Sequence, residues 1–417
     1  MQIGATLERA PRARAPASAT VVALDANGKD DRQPMAIDRL RVGLFTDSFL
    51  PSPNGVANSV YLTQRELNRL GHDAWVIAPR HPEAPAREDR VLRYPSVAYP
   101  FFDEYRISLP IGPRVPRFDV IHTHTPITIG GWGNLLAHRR GIPHVSTYHT
   151  HIEGYTHYVP GATALDRVTH ISRRLVRAFY DRADLVLAPS RAIEQMLAAY
   201  RLPVPVRVIP TGIDTELLEA APDPPGELHA PWPEGVGRIL TVSRLGREKE
   251  LPLLLQAVAR IAVHAEVHLV VIGSGPDEAE LRRHADALGI ARRVTFLGRV
   301  PYTEIGGYFR RAQVFALPSS TETQSLVLLE AAACGLPTVA ARALGAQEQV
   351  EDATTGFLTE PGNVDGFTAH IATLLADADL RERMGEAGRH LAQRKSTAAS
   401  AAALVNAYRE LITAHRA

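Results

Sequence analysis

The chain has 417 residues, 45% apolar and 22% charged, with 46 Lys plus Arg against 45 Asp plus Glu. This balance excludes wholesale disorder, collagen and coiled coil, and it offers no bulk charge for a nucleic-acid partner. Cys334 is the one cysteine, which leaves no internal disulfide and no cysteine-cluster metal site. No run reaches the roughly 18 apolar residues of a membrane span. The start, Met1 to Pro16, carries arginines but lacks the apolar stretch of a secretory signal, so a reduced, cytoplasmic protein is expected.

Residues 1–38 are rich in Ala, Pro, Arg and Asp without a period and read as a disordered lead-in. Order is expected from Leu40, in a strand ending at Asp47. A loop with Pro51, Pro53, Asn54 and Gly55 follows, then a helix from Ser59 to Leu70 closed by Gly71. Further strands are predicted over 74–78, 91–94, 120–123, 144–147 and 185–188. Past Tyr200 a second series begins, with strands over 207–209, 238–242, 266–272, 294–296, 314–317 and 338–340. Helices over 251–263, 277–288, 302–310 and 325–334 alternate with them. The alternation predicts an α/β protein with two doubly wound, Rossmann-like halves, 39–203 and 204–395, facing each other across a cleft. A C-terminal helix, 396–417, completes the chain. Ligands in such sheets bind beyond the carboxyl ends of the strands.

The most informative stretch is Ser319 to Pro337, where a strand ends near Pro318, a polar loop follows and an apolar helix starts near Ser325. Main-chain amides of Thr323, Gln324 and Ser325 at that helix N-terminus favour an anion such as a diphosphate. Glu322 precedes them and Glu330 lies more than a turn inside, roughly 10 Å further along the axis. Two carboxylates flanking the amides fit a nucleotide sugar, one gripping the sugar and the other the ribose. The same pattern also fits a capping acid at Glu322 and a solvated helix residue at Glu330. Arg244 and Lys249 follow a strand end in the second half. They can neutralise a departing diphosphate or simply be loop charges.

Glu322 and Glu330, with seven residues between them, resemble the paired-glutamate motif of the family-4 retaining glycosyltransferases of GT-B fold. The pattern continues through Ala331 to Ala340 (AAACGLPTVA) and Asp352 to Pro361 (DATTGFLTEP). Upstream, Val208 to Asp214 (VIPTGID) and Val271 to Pro276 (VIGSGP) also match, so the likeness spans residues 41–365. It implies transfer of a hexose from a nucleotide diphosphate sugar to a hydroxyl, with retention at the anomeric carbon. UDP-glucose is the expected donor, a substrate rather than a cofactor. Carried over residue by residue, Glu322 orients the sugar while Arg244 and Lys249 stabilise the leaving diphosphate. Glu330, Gly55, Gly273, Arg299 and Val300 belong to the donor side, Gly55 in the loop against the phosphates and Arg299 and Val300 beside the nucleobase. His124, in Asp-Val-Ile-His-Thr-His-Thr-Pro, takes the position near sugar and acceptor.

Six histidines cluster (His122, His124, His144, His149, His151 and His157), but no spacing fixes a third metal ligand, and no metal is expected. Gly-Ser-Gly-Pro at Gly273 lacks the third glycine of a dinucleotide fingerprint. Segments 95–110 and 146–160 resemble the diacylglycerol and glycolipid glucosyltransferase branch. That implies a lipid acceptor, with Tyr148, His149 and Glu153 on the acceptor side. In Ala164 to Asp181, Leu165, Val168, Ile171, Leu175 and Phe179 share one helical side, with Arg167, Arg173, Arg174 and Arg177 on the remainder. Such a helix lies on an anionic membrane surface, or packs its apolar side on the sheet with arginines in water. Two departures from the family pattern stand out. Leu344-Gly345 replaces a Gly pair, and the aromatic residue common before the last helix is missing around Lys395 to Ala402. The second removes the usual ground for docking that helix on the first half. A glycosyltransferase with a soluble sugar or polysaccharide acceptor is the alternative within the family, and a sugar-nucleotide epimerase of similar fold and a non-catalytic two-lobed sugar binder remain the alternative classes.

Overall fold

The computed structural model describes residues 39–52, 54–99, 102–149, 171–224 and 232–417. In the first half, apolar runs form β1 (Arg41–Phe45), β2 (Asp73–Pro79), β3 (Val91–Tyr94), β6 (Val120–Thr123), β7 (His144–Thr147), β8 (Leu185–Ala188) and β9 (Val206–Val208). They pair in the order β3-β2-β1-β6-β7-β8-β9, every pair parallel. The strand predicted over 207–209 to open the second half is β9, the edge strand of this first sheet beside β8, so the first half runs past the predicted boundary at 204. The second half repeats the design with β10 (Gly237–Val242), β11 (Val267–Ile272), β12 (Val294–Gly298), β13 (Val314–Leu317), β14 (Thr338–Ala341) and β15 (Gly356–Thr359). Its order is β12-β11-β10-β13-β14-β15, again all parallel. Helices cover both faces, so strands such as β11 are buried throughout, which is why they read as unbroken apolar runs. The antiparallel hairpin of β4 (Ser96–Tyr99) and β5 (Phe102–Ser108) was not expected.

In each half the strand order reverses at one point, between β1 and β6 and between β10 and β13. The loops leaving the carboxyl ends of those pairs part there and leave a crevice. Asp47, just past β1, ties down the first crevice. Its carboxylate accepts from the amides of Thr128, Ile129 and Gly130 at 2.8, 2.6 and 3.2 Å and from the Thr125 hydroxyl at 2.6 Å. An acid at the N-terminus of helix Ile129–Arg140 is favourable, since those amides have no partner within the helix. Gly130 has no substitute there, because a Cβ would stand 1.6 Å from the Thr125 carbonyl oxygen.

The last helix, Thr397–Arg416, docks on the first half without the aromatic residue common before it. The aromatic anchor lies within the helix: Tyr408 is fully buried, with its hydroxyl 2.7 Å from His122 Nδ1. Arg207 pairs with Glu410 at 2.7 Å, and Ile213 exchanges main-chain hydrogen bonds with Lys395 and Thr397. Gly212 allows this crossing, as a Cβ would meet the Ser396 carbonyl oxygen at 2.3 Å.

Of the arginine-rich segment, helix Ile171–Tyr180 is described, and residues 164–170 lie outside the described residues. Its packed side is Ser172, Val176 and Tyr180, while Ile171 and Leu175 are 43% and 64% exposed beside Arg173, Arg174 and Arg177. Of the apolar side read from the sequence, Phe179 packs on the core of the first half while Ile171 and Leu175 face outward, and Leu165 and Val168 lie outside the described residues. No helix among the described residues is long and apolar enough to cross a membrane.

Candidate active site

The second crevice gathers the residues predicted for the donor. The loop after β10 runs through Arg244 to a 3-10 turn, Arg247–Lys249, and the loop after β13 carries Glu322. Lys249 Nζ donates to Glu322 Oε1 at 2.6 Å, with the two side chains 14% and 13% exposed. Arg244 pairs with the buried Glu248 at 3.3 Å. The hydroxyls of Ser319 and Thr321 donate to the Glu248 carbonyl at 3.0 and 3.3 Å, and the Ser320 hydroxyl donates to Glu250. Two cations, Arg244 and Lys249, and three carboxylates, Glu248, Glu250 and Glu322, are thus held by loops bound to each other. In so little water their mutual field is stronger than at an open surface.

Burial removes the solvated alternative for Glu330, which lies in helix Leu326–Ala333. Burial pushes its carboxyl up to about 7, against a smaller opposing effect of the Tyr302 hydroxyl beside it. Burial also holds the Tyr302 phenol well above its usual range. Ser325, at the start of this helix, takes a left-handed φ of +66°.

Thr323 and Gln324 spend their side chains on joining the two halves rather than on the donor. Thr323 Oγ1 donates to the His149 carbonyl at 2.7 Å, and the Thr323 carbonyl accepts from Ser190 Oγ at 2.7 Å. Gln324 makes a reciprocal pair with the Thr211 main chain, at 2.9 and 2.7 Å. Their main-chain amides are what they can offer a diphosphate. Gly345 is a member of this site that sequence reasoning passed over. Its amide donates to the Glu322 carbonyl at 2.9 Å, and a Cβ would stand 2.0 Å from the Thr323 carbonyl oxygen. The signal lay in Leu344-Gly345: the second glycine is kept where nothing else fits, while Leu344 bears a φ of +38° that glycine would relieve.

Gly273 sits under the same crevice at φ +131°, where a Cβ would meet the Ser243 carbonyl oxygen at 1.8 Å. Arg299 Nε donates to Ser274 Oγ at 2.6 Å, and Val300 packs on the apolar core of the second half. Gly55 opens helix Gly55–Arg69, capped by Asn54, whose side chain accepts from the Ala57 amide at 2.9 Å, with open space where a side chain would project. Pro53 lies outside the described residues.

From the first half, His124 enters from the loop after β6. Its Nδ1 is 2.9 Å from His149 Nε2, and its Nε2 is buried without a hydrogen-bond partner among the described residues. Burial pushes His122 and His124 well below the usual histidine range, and His144 and His149 to about 4, so all four are neutral at pH 7. Tyr148, read as an acceptor residue, is fully buried against Val176 and Tyr180, and this core position removes it as a direct contact. Glu153, His151 and His157 lie outside the described residues. Among the described residues no group of three or more His, Cys, Asp or Glu side chains converges as a metal site would require.

Comparison with known proteins gives the family and the fold. The families described as "Glycosyltransferase Family 4" and "Glycosyl transferases group 1" match residues 53–217 and 229–391, one in each half. The chain is 32% identical over 357 residues to alpha-monoglucosyldiacylglycerol synthase of Streptococcus pneumoniae, covering 82% of this chain and 80% of the relative. The chain belongs to glycosyltransferase family 4. A GDP-mannose-dependent alpha-mannosyltransferase of Mycolicibacterium smegmatis is also similar, at 30% identity over 84% of this chain and 92% of its own. Among solved structures, sucrose-phosphate synthase from Thermosynechococcus elongatus superposes with a TM-score of 0.72 at 23% identity, covering 90% of this chain and all of that one. Anabaena HepE in complex with UDP-glucose gives 0.69 at 20% identity, covering 89% and 100%. These likenesses identify the two-halved architecture of this glycosyltransferase as GT-B.

Proposed function

We propose that this glycosyltransferase moves a hexose, glucose first among the candidates, from UDP-glucose to the hydroxyl of a lipid such as diacylglycerol or a glycolipid, with retention and without a metal. The observation that carries the reading is the Lys249–Glu322 pair beside Arg244 at the crevice of the second half. When the diphosphate leaves, Lys249 and Arg244 supply positive charge already in place, which costs no reorganisation at the moment of reaction. Glu322, released from Lys249, accepts from sugar hydroxyls, and Glu330 accepts from the ribose. No side-chain nucleophile is assigned at the reacting carbon. The test offers UDP-glucose, UDP-galactose and GDP-mannose separately, with and without diacylglycerol liposomes, in excess chelator. Release of nucleotide that needs the lipid is expected from one donor. A changed sugar nucleotide from donor alone would mean an epimerase, and loss of turnover with chelator would mean a metal.

The lipid acceptor draws support from the named activity of the Streptococcus relative and from helix Ile171–Tyr180. Its exposed Ile171 and Leu175 beside three arginines fit peripheral association with an anionic membrane on the cytoplasmic face. Changing Arg173, Arg174 and Arg177 together to Gln is expected to weaken sedimentation with phosphatidylglycerol vesicles by about 100-fold, at about 1 kcal/mol per arginine. Arg173 also bonds the Ala199 carbonyl and lies over the Tyr200 ring, and Arg177 pairs with Asp181 at 3.3 Å, so a small drop in melting temperature is expected with the protein still folded. Unchanged sedimentation would remove this helix from the membrane contact.

A further inference from the structure

We propose that Tyr408 is a positioning residue for His124 and acts through His122. The inference rests on the reading above, in which His124 faces the transferred sugar. Tyr408 reaches the site from the last helix, 286 residues away in the chain, and its hydroxyl lies 2.7 Å from His122 Nδ1. The other ring nitrogen of His122, Nε2, lies 2.6 Å from Thr147 Oγ1. Both nitrogens of a buried ring are therefore engaged, and the ring cannot turn without giving up a buried hydrogen bond. In this proposal the Tyr408 hydroxyl, 2.7 Å from Nδ1, donates its proton there and so selects the tautomer of the ring. His122 then carries its own proton on Nε2 and donates it to Thr147.

His122 lies against His124, with ring centroids 4.1 Å apart and planes tilted by 33°. His149 meets His124 at its Nδ1, with ring centroids 5.2 Å apart and planes 24° from parallel. His124 thus has His122 against it and Nδ1 engaged by His149, and its Nε2 is buried without a hydrogen-bond partner among the described residues. Buried polar atoms are nearly always paired, so this nitrogen marks where a substrate hydroxyl sits. The row ends on the donor loop, since the His149 carbonyl accepts from Thr323 Oγ1. Removing the Tyr408 hydroxyl frees His122, and a freed His122 no longer sets the plane of His124.

The test is Tyr408→Phe, which keeps the ring and the helix docking. We expect kcat to fall about tenfold with the donor KM within about twofold, at a temperature well below melting. Histidine side-chain 15N NMR should show His122 as a single Nε2–H tautomer in the parent protein and as a mixture in the variant. The double variant Tyr408→Phe, His122→Phe should be no slower than His122→Phe alone. A purely structural Tyr408 would lower the melting temperature, leave kcat and the tautomer unchanged, and overturn the proposal. Multiplying losses in the double variant would overturn it too. If the parent protein transfers no sugar from any donor, the functional reading fails, and the NMR comparison still decides whether Tyr408 sets His122. Should Tyr408→Phe not fold, Thr147→Val, which removes the other hydroxyl on His122, carries the same expectations.

Discussion

Lys249→Ala is expected to lower kcat by about 10²–10³-fold while the protein stays folded. The side chain is drawn to Glu322 at 2.6 Å in a setting where each partner is about one-seventh exposed. Its loss acts twice: the leaving diphosphate loses a cation already in place, and Glu322 loses the partner that holds it in the crevice. Lys249→Arg should not restore the rate, because a planar fork cannot stand in for a compact ammonium at that distance. Glu322→Gln separates the two effects, keeping the shape of the side chain and removing its charge. It should lower kcat while keeping the Lys249 ammonium in place for the diphosphate. Steady-state kinetics with melting curves on the three variants decide the matter. Near-normal turnover in Lys249→Ala would remove this residue from the mechanism.

Glu330→Gln is expected to make the protein more stable and the enzyme worse. With its carboxyl pushed up to about 7 by burial, Glu330 is protonated in the folded chain at pH values where the unfolded chain has already ionised it. The unfolded state therefore binds fewer protons between about pH 4.5 and 7, and stability falls over that window as pH rises. Above pH 7 the accumulated loss is constant, of order 3 kcal/mol. Glutamine carries no such penalty, so melting temperatures of parent and variant should agree near pH 4.5 and separate by pH 8, with the variant higher. Donor binding runs the other way. A carboxylate accepts two ribose hydroxyls and an amide oxygen does so less well, so the donor KM should rise about tenfold in the variant. In the parent protein it should rise as pH drops through 7. A pH-independent difference in melting temperature would mean that Glu330 is not the strained group.

The strands and the donor crevice were readable because their causes are local. A strand buried on both faces writes an apolar run, and β10, β11 and β13 fall within two residues of their predicted places. The position of Lys249 and Glu322 was readable too, each in a loop just past a strand end, and the structure pairs them. What escaped depends on partners far away in the chain. No local pattern says that Tyr408 will meet His122, or that the Asp47 carboxylate will cap the helix after β6. Periodicity shows that Ile171 and Leu175 share a helix side but not which side meets the sheet. In this helix, Ser172, Val176 and Tyr180 take that place. The burial of Glu330 was hidden for a related reason: a charged residue in a helix looks solvated until the element packed over it is known.

Retention and lipid acceptance together make up the central claim, and one measurement reaches both. Purified protein, diacylglycerol in anionic liposomes and UDP-glucose would be incubated, and the lipid product examined by mass spectrometry and by proton NMR of its anomeric signal. The account predicts a diacylglycerol carrying one hexose whose anomeric proton shows the small coupling of an α-linkage, the configuration of the donor. A β-linked product would contradict the assignment of Glu322, Lys249 and Arg244 to a retaining transfer. Free nucleotide and sugar with unmodified lipid would contradict the lipid acceptor.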